Sequence, residues 1–373
     1  MITPITAPRG WMAADLQNDQ SWAVRLSEQE LADFETGLQH ARRCGKSLYD
    51  LVPQDFPFGE SAMQRLKSCI PATQQGRGFQ MLRGFPVERW SIEDSRLFFW
   101  GLGLHLGVPR PQGKQSQFMS DVRDAGGTYR STQGRGYNTK SALDFHADGS
   151  DIVGLMVLRT SVSGGESLIA SSITAHNIML EERPDLLQLL YEPFTFSRQG
   201  EQAAEEPPYY QAAILGNHQG HFACRHIRNH IKSAQLSFPE VPRLSEKQIE
   251  ALDYFDAVLA RPEVCFRMNF EAGDVQLINN HIILHSRTDY VDHEEPDRKR
   301  HLLRLWLSLP DAQPLPASWK SAYKDVDACA VRGGFRGVNI TPEVESFEER
   351  MAAHHGMQFR VYQDRNEYEG AQA

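Results

Sequence analysis

Three side chains in two distant segments have the types and spacing of a metal site. His146 and Asp148 lie two positions apart within 145–148, and His285 ends the segment 279–285. Successive side chains of an extended segment point to opposite faces, so His146 and Asp148 point the same way, and a His from elsewhere completes a three-point face. Two His and one carboxylate can hold Fe(II) and leave three positions open, which suits a bidentate keto acid plus dioxygen.

Two arginines after His285 support this interpretation, because a His-x-Asp pair alone also fits a hydrogen-bonded surface pair. Arg300 and Arg304 lie four apart, and 302–307 has the residues of a strand. Both side chains then fall on one side of the strand, about 13 Å apart at roughly 3.3 Å per residue. Since unpaired buried charge is unfavourable, two inward guanidinium groups indicate either buried structural salt bridges or bidentate binding of carboxylates.

Short runs of β-type residues surround the candidate metal residues. A turn at 272–274 separates two of the runs, and a helical pair interrupts the series, its second helix beginning at Pro184. Many short strands with long insertions favour a jelly roll over alternating βαβ units. The predicted strands are 78–84, 152–159, 166–170, 193–197, 220–225, 264–270, 274–279 and 302–309.

Serine capping patterns predict the beginnings of further helices. Ser27 opens a helix that places Phe34 near one face and closes at Gly45, Ser91 caps a helix running toward 105, and Ser245 opens an amphipathic helix. The segment 112–140 is polar and lacks periodicity. We therefore expect it to be a long loop that precedes the His146 segment and covers the site.

These elements predict a mainly β fold, α+β by content. The expected core is a double-stranded β-helix, or jelly roll, over 78–310, with a helical insert around 245–260. Residues 1–77 would form an N-terminal helical elaboration and 311–373 a C-terminal surface segment without recognisable chemistry. All three parts are expected to form one structural domain.

Composition narrows the class of protein and of partner. The 373 residues carry 39 Lys+Arg against 48 Asp+Glu, a formal charge of −9, which disfavours nucleic acid. No run of eighteen apolar residues and no signal-peptide h-region are present, so we expect a cytoplasmic protein without a membrane partner. Five scattered cysteines without C-x-x-C spacing are expected to be reduced and structural. The sequence leaves homo-oligomerisation open.

Read together, these motifs resemble the Fe(II)/2-oxoglutarate dependent oxygenases of the taurine dioxygenase-like family, whose relatives include clavaminate synthase and asparagine hydroxylases. The resemblance extends from about Gly78 to Pro310. It consists of the His-x-Asp pair, a Gly-Gly-x-Thr/Ser element, a distal His and two Arg four apart. The Gly-Gly element is Gly164-Gly165-Glu166-Ser167 here, with Ser167 in place of the more frequent Thr.

The resemblance implies a role for each matching residue. His146, Asp148 and His285 would hold Fe(II) and be the catalytic centre. Arg300 would bind the distal carboxylate of 2-oxoglutarate with help from the Ser167 hydroxyl, and Arg304 would bind an acid group of the substrate. The charged loop 292–297 is slightly longer than in some relatives, which leaves the division of labour between the two arginines open.

The implied enzyme is a non-haem iron dioxygenase that uses Fe(II), 2-oxoglutarate and O2. Its substrate would be a small molecule with a carboxylate, such as an amino acid or a derivative. Hydroxylation with release of succinate and CO2 is the default outcome, and desaturation or oxidative cyclisation uses the same cofactors. A non-catalytic metal-binding jelly roll and a hydrolytic zinc enzyme are the alternatives from other classes.

Residues outside the motifs carry weaker signals. Asn138, in the loop before His146, is a candidate substrate-binding residue, although an ordinary turn residue fits equally well. Four further histidines lie close together at His218, His221, His226 and His230. Neither pair has a Cys or carboxylate at a usual zinc spacing, so exposed or hydrogen-bonded histidines are favoured over a second metal site.

Overall fold

The structure is a computed structural model that describes residues 2–127, 136–204, 206–335 and 339–360. Its α-helices are α1 (Ala13–Asn18), α2 (Glu28–Cys44), α3 (Glu60–Gln74), α4 (Ile92–Leu106), α5 (Ser172–Glu182), α6 (Pro184–Leu190), α7 (Arg228–Ser237), α8 (Glu246–Leu259), α9 (Lys320–Tyr323) and α10 (Pro342–His354). No helix within these ranges is both long enough and apolar enough to cross a bilayer.

The strands are short and spread along most of the chain. They are β1 (Ala23–Arg25), β2 (Phe79–Arg83), β3 (Val108–Arg110), β4 (Met119–Val122), β5 (Ile152–Arg159), β6 (Ser163–Gly164), β7 (Ser167–Ser171), β8 (Pro193–Ser197), β9 (Tyr209–Ala213), β10 (Leu215–His218), β11 (His221–Cys224), β12 (Phe266–Met268), β13 (Val275–Asn279), β14 (Ile283–Arg287), β15 (Tyr290–Val291) and β16 (His301–Ser308).

A seven-stranded sheet forms one wall of the core. Its order is β1, β2, β13, β5, β16 and β3, and β4 also pairs with β16. All pairs are antiparallel except β1 with β2. The central strands are buried on both faces, which explains their nearly continuous apolar runs. Leu277 packs toward the N-terminal helices, whereas its neighbour Ile278 packs toward the interior of the core.

A three-stranded sheet of β12, β7 and β14 forms the opposite wall. In its register His285 lies opposite Ile169, and Arg287 lies opposite Ser167. The sheet therefore brings the distal His and the Gly-Gly-x-Ser element side by side. These two sheets, antiparallel except for the β1–β2 pair, surround one interior and form the predicted jelly roll.

The helices with a predicted start begin at the predicted residues. Ser27 accepts the Glu30 N–H in a capping box, and α2 ends at Gly45, whose φ of 60° suits glycine. Ser91 and Ser245 likewise cap α4 and α8, and α6 begins at Pro184. The predicted strands are also present, with ends that differ by a few residues.

The prediction of an unbroken loop over 112–140 is wrong. Met119–Val122 forms β4, whose Ser120 pairs with Arg304 of β16. This strand depends on a hydrogen-bonding partner far away in the chain, so its short polar sequence gives no local signal. The part of the predicted loop from 128 to 135 lies outside the described residues.

The prediction that 311–373 is a surface segment is also wrong for much of its length. The side chains of Trp319, Tyr323 and Arg332 are fully buried. Nε of Arg332 donates to Oδ1 of Asp151 over 2.8 Å. Asp151 lies shortly after the candidate metal ligand Asp148 in the sequence. The segment therefore completes the core beside the site. Residues 336–338 and 361–373 lie outside the described part of the chain.

Candidate metal centre and its cavity

The three predicted metal ligands come together. One donor atom from each of His146, Asp148 and His285 lies within 4.8 Å of the other two, and no other group of three such residues was found in the described ranges. The backbone explains the proximity, because His146 and His285 exchange two N–H to carbonyl hydrogen bonds of 2.9 Å. The expectation of a strand at 145–148 is wrong, since His146 forms isolated bridges rather than a ladder.

The surroundings of both imidazoles favour metal binding. Nδ1 of His146 lies 2.9 Å from the carbonyl oxygen of Asp144, a contact in which Nδ1 donates and Nε2 is left as the lone-pair donor. Burial, together with the nearby His146, lowers the pKa of His285 to about 3. His285 is therefore neutral near pH 7, the form that binds a metal.

The Asp148 carboxylate is held ionised. Burial by itself would raise its pKa, but Arg304, His285, His146 and a hydrogen bond from Trp306 together lower it below the usual value. Nε1 of Trp306 donates to Oδ2 over 3.0 Å, and Nη1 of Arg304 lies 3.3 Å from Oδ1. An ionised carboxylate beside two histidines is the donor set that Fe(II) takes.

The buried amide of Asn280 ties the two ligand-bearing segments together. Its Oδ1 accepts the Asp148 N–H over 3.0 Å, its Nδ2 donates to the Ser150 carbonyl over 3.0 Å, and its backbone N–H donates to the Asp151 carbonyl. Asn280 lies in the turn between β13 and β14, the strand that carries His285. The sequence analysis did not predict this role. Its only local signal was the Asn279-Asn280 pair shortly before β14.

Three arginines line the cavity beside the triad: Arg287, Arg300 and Arg304. The sequence predicted the last two. Arg287 was missed, although it lies two residues after His285 on β14 and so has the same period-two signal that pairs His146 with Asp148. Nη2 of Arg287 donates to the Thr139 carbonyl over 2.7 Å.

Arg300 is a buried cation with little compensation. It is 4% exposed, and its Nη1 has no hydrogen-bond partner among the described residues. Burial, then the charge of Arg287, lowers its pKa to about 10. Its guanidinium carbon lies 5.1 Å from the centre of the Tyr290 ring. Such a site would gain from an anion that accepts hydrogen bonds from the guanidinium.

Arg304 is held differently. Its Nε donates to Oε1 of Gln112 over 2.8 Å, and its Nη1 contacts Asp148. Its guanidinium carbon lies 4.9 Å from the centre of the Trp306 ring and 5.2 Å from that of Tyr137. The sequence left two alternatives for these arginines, structural salt bridges or binding of carboxylates. Arg304 makes a salt bridge to Asp148 and also lines the cavity.

The Gly-Gly-x-Ser element allows two backbones to approach closely. Gly164 and Gly165 have φ of 70° and 73°, the left-handed region. A Cβ on Gly164 would lie 2.2 Å from the Asp289 carbonyl oxygen, and a Cβ on Gly165 would lie 3.1 Å from Nε of Arg300. Ser167 is the first residue of β7, is buried and lines the cavity. Its Oγ lies 3.5 Å from Oε1 of Gln276.

The remaining candidates lie outside this arrangement or at its edge. Asn138 is not among the residues that line the cavity; its side chain lies against Gly127, and its neighbour Tyr137 lines the cavity instead. His226 is buried and 2.6 Å from Asp256, as expected for a hydrogen-bonded histidine. His230, by contrast, lines the cavity, which its sequence neighbourhood did not indicate.

The sequence of this chain is similar to those of known dioxygenases. The model of the taurine catabolism dioxygenase TauD, TfdA family matches residues 50–306. FR-33289 synthase of Streptomyces rubellomurinus (strain ATCC 31215) is 34% identical over 323 residues, 84% of this chain and 93% of that protein. The taurine hydroxylase-like protein SAT17 of Stachybotrys chartarum (strain CBS 109288 / IBT 7711) is 26% identical over 308 residues, 79% of this chain and 77% of that protein.

Solved structures share the fold. An asparagine oxygenase in complex with Fe(II), 2S,3S-3-hydroxyasparagine and succinate superposes with a TM-score of 0.61 at 16% identity, covering 80% of this chain and 98% of that one. The non-heme iron oxygenase OrfP in complex with Fe and alpha-ketoglutaric acid gives 0.58 at 16% identity, covering 77% and 94%. These similarities confirm the jelly-roll core.

Proposed function

The chain belongs to the taurine catabolism dioxygenase TauD, TfdA family, and we propose that it hydroxylates a small anionic molecule such as an amino acid or a derivative. As a member of this family, the protein is a non-haem iron dioxygenase that uses Fe(II), 2-oxoglutarate and O2. The observation that carries the proposal is the convergence of His146, Asp148 and His285 beside the buried Arg300, whose Nη1 has no hydrogen-bond partner among the described residues.

The residues present fit the metal. In this proposal His146, Asp148 and His285 hold Fe(II) through two neutral imidazoles and one ionised carboxylate, the facial triad that leaves three positions for other ligands. Bound iron, with 2-oxoglutarate and O2, supplies the oxidation of a substrate C–H bond and releases succinate and CO2. The protein contributes placement and the exclusion of water.

Arg300 is assigned to the distal carboxylate of 2-oxoglutarate. The guanidinium is buried, Nη1 has no hydrogen-bond partner in the described ranges, and Ser167 lines the same cavity. A carboxylate there would receive charge-assisted hydrogen bonds and compensate a cation whose burial is otherwise unfavourable. The structure of OrfP contains Fe and alpha-ketoglutaric acid. This supports the assignment of a keto acid to the cavity of the present protein.

Arg304 is assigned to an acid group of the substrate. It lines the cavity between the Tyr137 and Trp306 rings, and the described hydrogen bonds use only its Nε and Nη1. Contact with Asp148 places this cation next to a metal ligand, where a substrate carbon must come for oxidation. The asparagine oxygenase and OrfP, which bind hydroxylated amino acids, support an amino acid or a derivative.

The test measures O2 consumption and succinate formation while amino acids and carboxylates are screened by mass. The expected result is succinate that depends on both Fe(II) and 2-oxoglutarate, and one substrate that gains one oxygen atom. A loss of two hydrogens would instead indicate desaturation or oxidative cyclisation. His285→Ala should abolish succinate formation, whereas His221→Ala, an exposed histidine on β11, should not. Absence of succinate under all conditions would contradict the proposal.

A further inference from the structure

A second cavity borders Arg300. It has a volume of about 260 Å³ and is lined by the segment 159–165 and by Asn269. Its lining contains none of the three triad residues, but Phe270, Arg300 and Leu302 line both this cavity and the one beside the triad. These three side chains therefore form a wall that the two cavities share. We call the second space the Arg300 side cavity.

Among the described residues, the guanidinium groups of Arg287 and Arg304 donate hydrogen bonds to neighbouring oxygen atoms, whereas that of Arg300 lies beside Tyr290 and near Asp292 without an ion pair. Arg287 donates to the Thr139 carbonyl, and Arg304 donates to Gln112 and contacts Asp148. Nη1 of Arg300 has no such partner within the described residues, and its guanidinium faces the Tyr290 ring at 5.1 Å. An arginine held by ring packing and without a carboxylate anchor can change rotamer at small cost.

The Arg300 side cavity has a polar lining. A Cβ on Gly165 would lie only 3.0 Å from Oγ of Ser161 and 3.1 Å from Nε of Arg300, so Gly165 lets its backbone pack closely against the guanidinium at the edge of this space. The hydroxyl-bearing or amide side chains of Thr160, Ser161 and Asn269 line the Arg300 side cavity. A water molecule takes about 30 Å³ in the liquid, so the cavity has room for a guanidinium that moves by the length of one methylene and remains solvated there.

We propose that the Arg300 side cavity is an extension of the co-substrate site, into which Arg300 withdraws so that a 2-oxo acid one methylene longer than 2-oxoglutarate also binds. The inference rests on the assignment of Arg300 to the distal carboxylate under the proposed function. The longer acid is 2-oxoadipate. A rigid wall would reject its extra methylene, at a cost of roughly 10- to 200-fold.

The reaction with the longer acid balances in the same way. Oxidative decarboxylation of 2-oxoadipate forms glutarate and CO2, and one atom of O2 enters glutarate. The other atom enters the substrate, whose C–H bond becomes C–OH. The two electrons from the keto acid and the two from the substrate reduce O2 fully, so no further reductant is required.

Binding is measured on protein loaded with Zn(II), which undergoes no redox chemistry. Isothermal titration calorimetry gives the Kd of 2-oxoglutarate and of 2-oxoadipate. We expect the two constants to agree within a factor of ten, and glutarate to appear when the iron enzyme turns over with 2-oxoadipate. A Kd for 2-oxoadipate that is tenfold or more weaker would overturn the proposal.

A matched pair of variants tests the cavity itself. Asn269 is an exposed residue at the rim of the Arg300 side cavity, so Asn269→Phe places a bulkier side chain at this rim and Asn269→Ala a smaller one. We expect Asn269→Phe to weaken 2-oxoadipate at least tenfold while the Kd of 2-oxoglutarate changes less than twofold, and Asn269→Ala to leave both within twofold. Equal effects of Asn269→Phe on both acids, or no effect on either, would contradict the assignment.

The outcomes separate this inference from the proposed function. Failure of the Zn(II)-loaded protein to bind 2-oxoglutarate would contradict the assigned co-substrate site. Tight binding of 2-oxoglutarate together with rejection of 2-oxoadipate would contradict the extension alone. The melting temperature of each Asn269 variant, measured alongside, shows that the compared proteins are folded.

Discussion

Nη1 of Arg304 lies 3.3 Å from Oδ1 of Asp148, so the cation assigned to the substrate also contacts a candidate metal ligand. The contact is partly buried, and Arg304 is one of the charges that lower the pKa of Asp148. The proposed substrate-binding arginine and the candidate metal ligands therefore line the same cavity. A substrate anion bound by Arg304 would place its carbon skeleton beside the iron.

Replacement of Arg304 by Ala should weaken substrate binding far more than binding of 2-oxoglutarate. Loss of a charge-assisted contact costs about 1.5–3 kcal/mol, or about 10- to 100-fold in affinity. The KM for substrate and the KM for 2-oxoglutarate, measured on the same preparation, give the comparison. Equal losses of both would contradict the assignment. Arg298→Ala, in the exposed loop, is the control and should change neither.

Replacement of Arg300 by Ala should raise the requirement for 2-oxoglutarate. The buried guanidinium is assigned to its distal carboxylate, so its removal should increase the Kd of 2-oxoglutarate about 10- to 100-fold. Calorimetry on the Zn(II)-loaded protein measures this directly. Arg300→Lys, which keeps the charge but loses the planar fork, should recover part of the affinity. An unchanged Kd of 2-oxoglutarate in Arg300→Ala would contradict the assignment of Arg300 to the distal carboxylate.

Replacement of Asn280 by Ala should weaken metal binding. The amide accepts the Asp148 N–H and holds the loop after it, and loss of such a supporting contact costs about 10- to 100-fold in metal affinity. Competition with a chromogenic chelator measures the Kd for Zn(II). Asn279→Ala is the matched control, since its Nδ2 bonds the Thr73 carbonyl instead. That variant should lower the melting temperature without changing the metal Kd, and equal metal effects would refute the role of Asn280.

A pH-dependent stability is expected from Asp274, away from the metal centre. Burial raises its pKa to about 6, against the smaller opposing effects of the Glu271 N–H and Arg83. Between about pH 4 and 6 the folded chain holds more protons at this group than the unfolded chain does. The free energy of unfolding therefore falls as pH rises through this window, by on the order of 2–3 kcal/mol.

Asp274→Asn should remove this dependence, because Asn does not ionise. The melting temperature of the variant relative to wild type should therefore rise between pH 4.5 and pH 7.5. Asp297→Asn in the exposed loop is the comparison and should show no such trend. A difference in melting temperature that stays constant with pH would show that Asp274 is not the group responsible.

Local patterns in the sequence were sufficient for the starts of α2, α4 and α8, for the end of α2 and for the pair formed by His146 and Asp148. The Ser27 capping box acts within one helical turn, and Gly45 supplies the positive φ that closes α2. His146 and Asp148 were found by a spacing of two. Interactions over three or four residues, or a period of two, leave their mark on the adjacent sequence, so they can be predicted from it.

Features that depend on distant partners could not be predicted. Strand β4 exists because β16 offers it hydrogen bonds, and Arg332 is buried because Asp151 accepts from it. The Asn280 amide reaches Asp148 only after β13 and β5 have paired. In each case the energy of the contact comes from desolvation and hydrogen bonding between segments that are remote in sequence, which no local pattern records.

By itself, then, the sequence determined the kind of chemistry, through ligand types, their spacing and the two arginines that follow. The tertiary structure decided how those groups are placed: that Arg304 contacts Asp148, that Arg287 joins the cavity, and that Arg300, whose Nη1 has no hydrogen-bond partner among the described residues, borders a second space. The reason is physical. Residue type fixes which bonds a side chain can make, whereas only the folded chain decides which partners are within reach and which are removed from water.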